Sequence, residues 1–227
     1  MRGFLMTATA LAMLGGALPA RANLLVNGDF ELPVVAAGSF SLFNVGATGL
    51  TGWTVFGPAG HRVVQVETTY TEPGIAYPAQ SGSAWLDLMG DTVSGVGVSQ
   101  TVNTTIGNTY ELSFYIANNT RGGSFGTSST VHTALDGTQT WSDTSTAGTS
   151  SVQGWQGFVH SFVATGTTTT LSFVSADPTG DFVDGIDNMV LLDLGVVAAP
   201  EPTSLLILAT GLAGLTLNRR RQRSAKD

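Results

Sequence analysis

Tyr110-Glu111-Leu112-Ser113-Phe114-Tyr115-Ile116 is the stretch that decides the fold. Tyr110, Leu112, Phe114 and Ile116 alternate with Glu111, Ser113 and Tyr115. Successive side chains of a strand point to opposite faces, so this spacing sets one face toward a core. Thr170-Leu171-Ser172-Phe173-Val174 repeats the pattern. Outward from these two, further short runs recur between turn residues: Leu24–Phe30, Ser39–Phe43, Trp53–Phe56, Arg62–Glu67, Ala84–Met89, Gly97–Val102, Thr130–Leu135, Phe158–Ala164 and Ile186–Leu194. Thr127 to Ser151 is rich in Thr, Ser and Gly and predicts a loop or a weak edge strand. No stretch between the chain's two hydrophobic ends carries a sustained helical stripe. The expectation is an all-β chain forming a single β-sandwich or jelly roll. A propeller would need an internal repeat of about 40 residues, and the sequence has none.

The two ends read as addresses. Met1 to Ala22 has the form of a secretory signal peptide: Arg2, an uncharged apolar run from Gly3 to Leu18, and Ala20-Arg21-Ala22 as a small-x-small cleavage site. The mature chain is expected to begin at Asn23, with the sandwich over 23–196 and a sorting tail over 197–227. In that tail Pro200-Glu201-Pro202 precedes fifteen uncharged residues, Thr203 to Leu217. A full span takes about 20 apolar residues, so this run is short for one. Its apolar side chains lie all around, and Arg219, Arg220, Arg221 and Arg223 follow as a cytoplasmic end would under the positive-inside rule. The expectation is a transmembrane helix over 203–217 with a basic cluster over 219–223.

Charge is lopsided. Of the chain's nine basic residues only Arg62 and Arg121 lie within Asn23–Ala199, against fourteen of its sixteen acidic ones, leaving this region at about −12. Nucleic-acid binding needs a basic patch that displaces counterions, and two arginines build none. Cations or neutral sugars suit such a surface better. The chain has no cysteine, so disulfides, thiolate chemistry and iron–sulfur ligation are excluded.

Catalytic patterns are thin. His61, His132 and His160 are isolated, without zinc-ligand spacing. Gly122-Gly123-Ser124-Phe125-Gly126 matches G-x-S-x-G, but a nucleophile elbow needs a strand before it and a helix after it. Thr127-Ser128-Ser129-Thr130-Val131 follows instead, so the match reads as a loop. Trp85, Trp141 and Trp155, with Tyr70 and Tyr77, are the candidates for stacking on a sugar ring, and Trp85, Trp141 and Tyr77 lead among them. Trp85 alternates with Asp87 beside Leu86 and Leu88 and is expected to face outward. Trp141 and Tyr77 sit in polar context and are expected to be exposed, whereas Trp53 and Trp155 are expected in the core. Asn27, Asp29 and Glu31 would share one face of an extended strand, with Phe30 turned into the core. Asp177, Asp181 and Asp184 lack the glycine and terminal glutamate of an EF-hand loop and read as a solvated loop.

The order Pro-Glu-Pro, hydrophobic helix, arginine cluster over Pro200 to Arg223 resembles the PEP-CTERM sorting signal of Gram-negative bacteria. The resemblance implies recognition by an exosortase, cleavage near Pro200-Glu201-Pro202, and export alongside extracellular polysaccharide, after which the chain is anchored in the membrane or released to the cell surface or matrix. The body of the chain resembles the choice-of-anchor C family of bacterial surface proteins and the wider galactose-binding-like jelly roll. Asn23-Leu-Leu-Val-Asn-Gly-Asp-Phe-Glu at its opening and Ile186-Asp187-Asn188-Met189-Val190 at its close carry the likeness. That likeness implies a structural Ca²⁺ held by Glu31 and Asp187; Asp29, on the same strand face as Glu31, is a third candidate ligand by its spacing. The function expected is that of an exported, non-enzymatic surface or matrix protein associated with polysaccharide. A surface glycoside-active enzyme and a structural module without ligand are the alternatives.

Overall fold

The computed structural model describes residues 21–72 and 74–196. The signal-peptide and sorting-tail expectations, including the span over 203–217, therefore lie almost wholly outside the described residues. Among those residues no helix is long and apolar enough to cross a membrane.

Two antiparallel sheets form a sandwich. The first has six strands: β1 (Phe40–Asn44), β3 (Arg62–Glu67), β6 (Ala84–Asp87), β13 (Gly185–Gly195), β8 (Thr109–Asn118) and β11 (Gly154–Val163), adjacent in that order. The second has five: β10 (Thr138–Ser145), β9 (Ser129–Leu135), β12 (Thr168–Ser175), β7 (Gly97–Asn103) and β2 (Thr54–Phe56). A hairpin of β4 (Thr71–Glu72) and β5 (Ile75–Ala76) lies apart from both. The chain is all-β as the alternation predicts, and the Thr/Ser/Gly-rich stretch does supply an edge strand, β10.

Alternation works as it should in the deciding stretch. Tyr110, Leu112, Phe114 and Ile116 of β8 are buried, and they meet Val98, Val131, Leu171 and Phe173 of the other sheet in one core. Phe114 packs edge-on against Phe173 with ring centroids 5.4 Å apart, an arrangement the aromatic quadrupole favours.

The opening stretch departs from expectation. Leu24–Phe30 is not a strand but a series of turns. Asn27 and Phe30 take left-handed backbone angles, φ 55° and 51°, which end any extended pairing. Side-chain amides replace the missing ladder. Gln100 accepts from the Val26 N–H at 2.8 Å and donates to the Val26 carbonyl at 3.0 Å, as a strand neighbour would. Buried Gln65 donates to the carbonyls of Phe30 (2.6 Å) and Pro33 (2.8 Å). Phe30 is nevertheless buried, its ring tilted against Trp53 in the core with centroids 5.4 Å apart.

The opening and closing stretches touch. The Met189 N–H donates to the Gly28 carbonyl at 2.8 Å, and the Asn23 side chain donates to the Met189 carbonyl at 2.9 Å. A β-carbon at Gly28 would sit 2.2 Å from that Met189 oxygen, so only glycine admits the contact. Asn188, with φ 50°, forms the bulge in β13 that brings Met189 there.

Candidate functional site

The outer face of the six-stranded sheet, away from the core, carries a second apolar cluster. Phe40, Tyr70, Tyr77, Trp85 and Trp155 run across it as a chain of ring contacts with centroids 5.6 to 6.5 Å apart. A cleft of about 220 Å³ opens along this row. Phe125 and Val183 wall one side, and Glu72, Asp87 and Asp181 supply its carboxylates.

Trp85 does point away from the main core, as its alternation with Leu86 requires. It is not exposed: 1 % of its surface meets solvent. The loop from Tyr77 to Ser83 lies over it, and its indole N–H donates to the Tyr77 carbonyl at 3.1 Å. Tyr77 is 5 % exposed, covered by the same cluster, so the expectation of an exposed ring is corrected for both. Trp141 sits elsewhere, half-buried on β10 and stacked flat on His160 at 4.5 Å. It bridges two edge strands and takes no part in the cleft. Trp53 is in the core as predicted, whereas Trp155 packs on the outer face.

Glu72 organises the cleft's polar edge. The hydroxyls of Tyr70 and Tyr77 each donate to it at 3.4 Å, and Arg121 pairs with it at 3.2 Å. Arg121 also lies over the Phe125 ring, 4.9 Å from its centroid. Burial, and then the Glu72 charge, push both tyrosine hydroxyls above their ordinary range. Both stay protonated donors. Burial raises Asp87 to about 6 against the amides of Met89 and Asp184, which lower it.

Glu31 and Asp187 come together at a second place. Both reach the loop Gln80–Ala84 from opposite ends of the chain. Asp187 accepts from the Gln80 and Ser81 amides at 2.9 and 3.0 Å, and Glu31 Oε1 accepts from Ser83 and Ala84 at 2.7 and 3.0 Å. Burial, aided by the Glu31 charge, raises Asp187 to about 7 against three amide hydrogen bonds. Asp29 is exposed, because the left-handed turn at Asn27 breaks the alternation that would have aligned it with Glu31. Among the described residues no three acidic or histidine side chains converge as a metal cluster. The bonds recorded to Glu31 all fall on Oε1, leaving Oε2 turned to the same loop. Two convergent carboxylates are oxygen donors of the kind Ca²⁺ takes, so Glu31 and Asp187 fit it as a partial set, with their recorded backbone partners being amide N–H groups.

The Ser124 of the G-x-S-x-G match follows one 3-10 turn, Arg121–Gly123, and not a strand-to-helix elbow. Sequence reasoning missed two things. Phe40 and Phe125 complete the cleft beside Tyr70, Tyr77 and Trp85, though they come from a strand and a loop with no common spacing. Asp177 and Asp184, read as solvated, are buried.

A family model described as "Protein of unknown function (DUF642)" matches residues 23–187. The chain belongs to this family. The match to DUF642 runs from the opening stretch to Asp187, the two places that Gly28 and Met189 join. It does not name the choice-of-anchor C family. A second model, the PEP-CTERM protein-sorting motif, matches residues 198–222. No curated protein matches the chain. Among solved structures, the CBM22-1 xylan-binding domain from Paenibacillus barcinonensis is similar at 19 % identity and TM-score 0.44, covering 73 % of this chain and 100 % of that one. TmCBM61 in complex with β-1,4-galactotriose is similar at 20 % identity and TM-score 0.45, covering 76 % and 99 %. A family 35 carbohydrate-binding module from Clostridium thermocellum is similar at 13 % identity and TM-score 0.41, covering 68 % and 98 %. Likenesses at this level transfer no ligand to the DUF642 domain.

Proposed function

We propose that this DUF642 protein is an exported, non-catalytic surface protein that holds neutral polysaccharide in the cleft on its outer sheet face. The observation that carries the reading is the aromatic row ending at Phe40, 46 % exposed, beside the carboxylates of Glu72 and Asp181. Apolar sugar faces stack on such rings while carboxylates fix hydroxyls. A cleft of about 220 Å³ is smaller than the roughly 300–1,000 Å³ of drug-sized pockets. It suits one sugar residue or a chain end.

The sorting-motif match supports export, with an exosortase and the secretion machinery as partners and the tail helix as a transient or stable membrane anchor. The mature domain then begins at Asn23. A structural Ca²⁺ bound through Glu31 and Asp187 belongs to this reading: it would tie the opening and closing stretches and supply counter-charge to two neighbouring acids. The test of binding is affinity electrophoresis through xylan, β-1,4-galactan and exopolysaccharide from a host with the sorting system. Each lost ring costs on the order of 1 kcal/mol, roughly fivefold in affinity. Phe40→Ala with Tyr70→Ala should therefore remove retardation while the melting temperature stays near wild type. Equal retardation of the wild type and the double variant in every gel would overturn the cleft as the binding site.

A further inference from the structure

Below the cleft, where β12 ends and β13 begins, Ser175, Asp177 and Asp184 are packed together out of solvent. Asp184 is fully buried and Asp177 is 5 % exposed. Among the described residues no hydrogen bond of good geometry reaches either oxygen of Asp184, Oδ2 of Asp177 or the hydroxyl of Ser175, although Asp177 and Ser175 both lie close enough to Asp184 to bear on its ionisation. Buried polar atoms in folded proteins are almost always satisfied, so four orphaned oxygens at one spot need an explanation. The backbone around them is fully committed: the Asp184 carbonyl accepts from Leu88, the Ser175 carbonyl from Gly95, and the Thr92 carbonyl from Gly180. The surrounding frame is thus built, and the orphaned side chains face one another within it.

Counter-charge is missing as well. The described residues hold three arginines and no lysine. Arg21 bonds the carbonyls of Asp193 and Leu194, Arg62 pairs with Asp91 at 2.7 Å, and Arg121 pairs with Glu72. None reaches this pair. An uncompensated buried carboxylate costs several kcal/mol, so the pair takes either a cation or a shared proton. Burial and the Asp177 carboxyl beside it hold Asp184 well above the usual carboxylate range.

We propose that Asp177, Asp184 and the Ser175 hydroxyl form a cation site for Ca²⁺, separate from Glu31 and Asp187, that ties the two ends of the β12–β13 connection together beneath the cleft. The donors are all oxygens, which selects a hard cation over zinc or copper. Ca²⁺ is preferred to Mg²⁺ because Mg²⁺ keeps several of its waters and demands near-ideal octahedral geometry, whereas loop-borne ligands adapt to calcium. Water completes the shell.

The site also has a built-in reporter. A β-carbon at Gly185 would lie 3.0 Å from the Trp85 ring, so that indole sits against the residue next to Asp184. Terbium, a calcium surrogate, bound there would be sensitised by Trp85. The experiment uses the full chain in mild detergent, stripped with EDTA. Terbium luminescence excited through tryptophan is followed as terbium is added and then displaced by Ca²⁺, and bound calcium is counted by equilibrium dialysis. The result expected is a saturable signal reversed by Ca²⁺. Asp177→Asn with Asp184→Asn should lose one bound calcium per chain, and Ser175→Ala should weaken binding severalfold. Trp85 also follows Ala84, whose amide bonds Glu31, so the calcium count separates the two sites: Glu31→Gln with Asp187→Asn should keep the calcium that the Asp177/Asp184 variant loses. Asp184→Asn should also be more stable than wild type in EDTA and less stable in Ca²⁺. Equal calcium counts and equal terbium signals in the wild type and the Asp177/Asp184 variant would overturn the proposal and assign the pair a shared proton.

Discussion

Gly28→Ala tests the joint between the two ends of the domain. The new β-carbon would lie 2.2 Å from the Met189 carbonyl oxygen, against an ordinary non-bonded separation of about 3.5 Å. Both partners are backbone, so no side chain can swing aside, and the two segments must part by on the order of 1 Å. That movement breaks the 2.8 Å bond from the Met189 N–H to the Gly28 carbonyl. A buried hydrogen bond left unmade costs about 1–3 kcal/mol, and forced overpacking another 1–3. The expected loss is about 2–6 kcal/mol, or roughly 4–24 °C in melting temperature at about 2–4 °C per kcal/mol for a domain of this size. Gly49→Ala is the control: its β-carbon would meet only the Phe43 ring, at 3.7 Å, and it should fall within about 1 kcal/mol of wild type. The assay is thermal unfolding followed by tryptophan fluorescence. If Gly28→Ala melts within 2 °C of Gly49→Ala, on the same roughly 2–4 °C scale, the reasoning about the joint is refuted.

Phe114→Ala removes a fully buried ring touching Phe158 and Phe173 and should cost about 3–5 kcal/mol in urea unfolding. Glu67 is held below the usual carboxylate range first by the Thr69 hydroxyl and then by the Gly38 amide. Its stabilisation is present above the unfolded pKa and is lost as pH falls through the folded one. The deficit of Glu67→Gln against wild type should therefore shrink in acid, and a deficit that grows there would contradict the assignment. Wild type should melt higher in Ca²⁺ than in EDTA, by about 2.7 kcal/mol at 100 times the dissociation constant. Glu31→Gln with Asp187→Asn should lose the part of that rise that belongs to their site.

Legibility in the sequence followed local physics. Strand alternation is a short-range property, so β8 and β12 could be read from their own residues. Trp85 shows the limit. Its direction was readable from Leu86, but its burial depends on Tyr77 and the loop after it, which no local pattern reveals. Leu24–Phe30 has the composition of a strand, yet Gln65 and Gln100, distant in sequence, bond its backbone and replace the ladder. Asp184 looked solvated for the same reason: the segments that bury it belong to the β6–β7 loop. The aromatic cleft is partly visible in the sequence, since Tyr70, Tyr77 and Trp85 are candidates there while Phe40 and Phe125 join them only through topology.

The position of β13 has a mechanical consequence. It lies between β6 and β8 in the interior of the six-stranded sheet, and the Leu24 N–H bonds its Leu191 carbonyl. The chain thus enters and leaves the sandwich side by side. A load applied at Gly195 is delivered to an inner strand whose pairing with β8 runs from Gly185 to Gly195. Pulling along that strand must shear the whole ladder at once, whereas an edge strand such as β11 would peel one bond at a time. A domain pulled from that end resists unravelling from the point where the load enters.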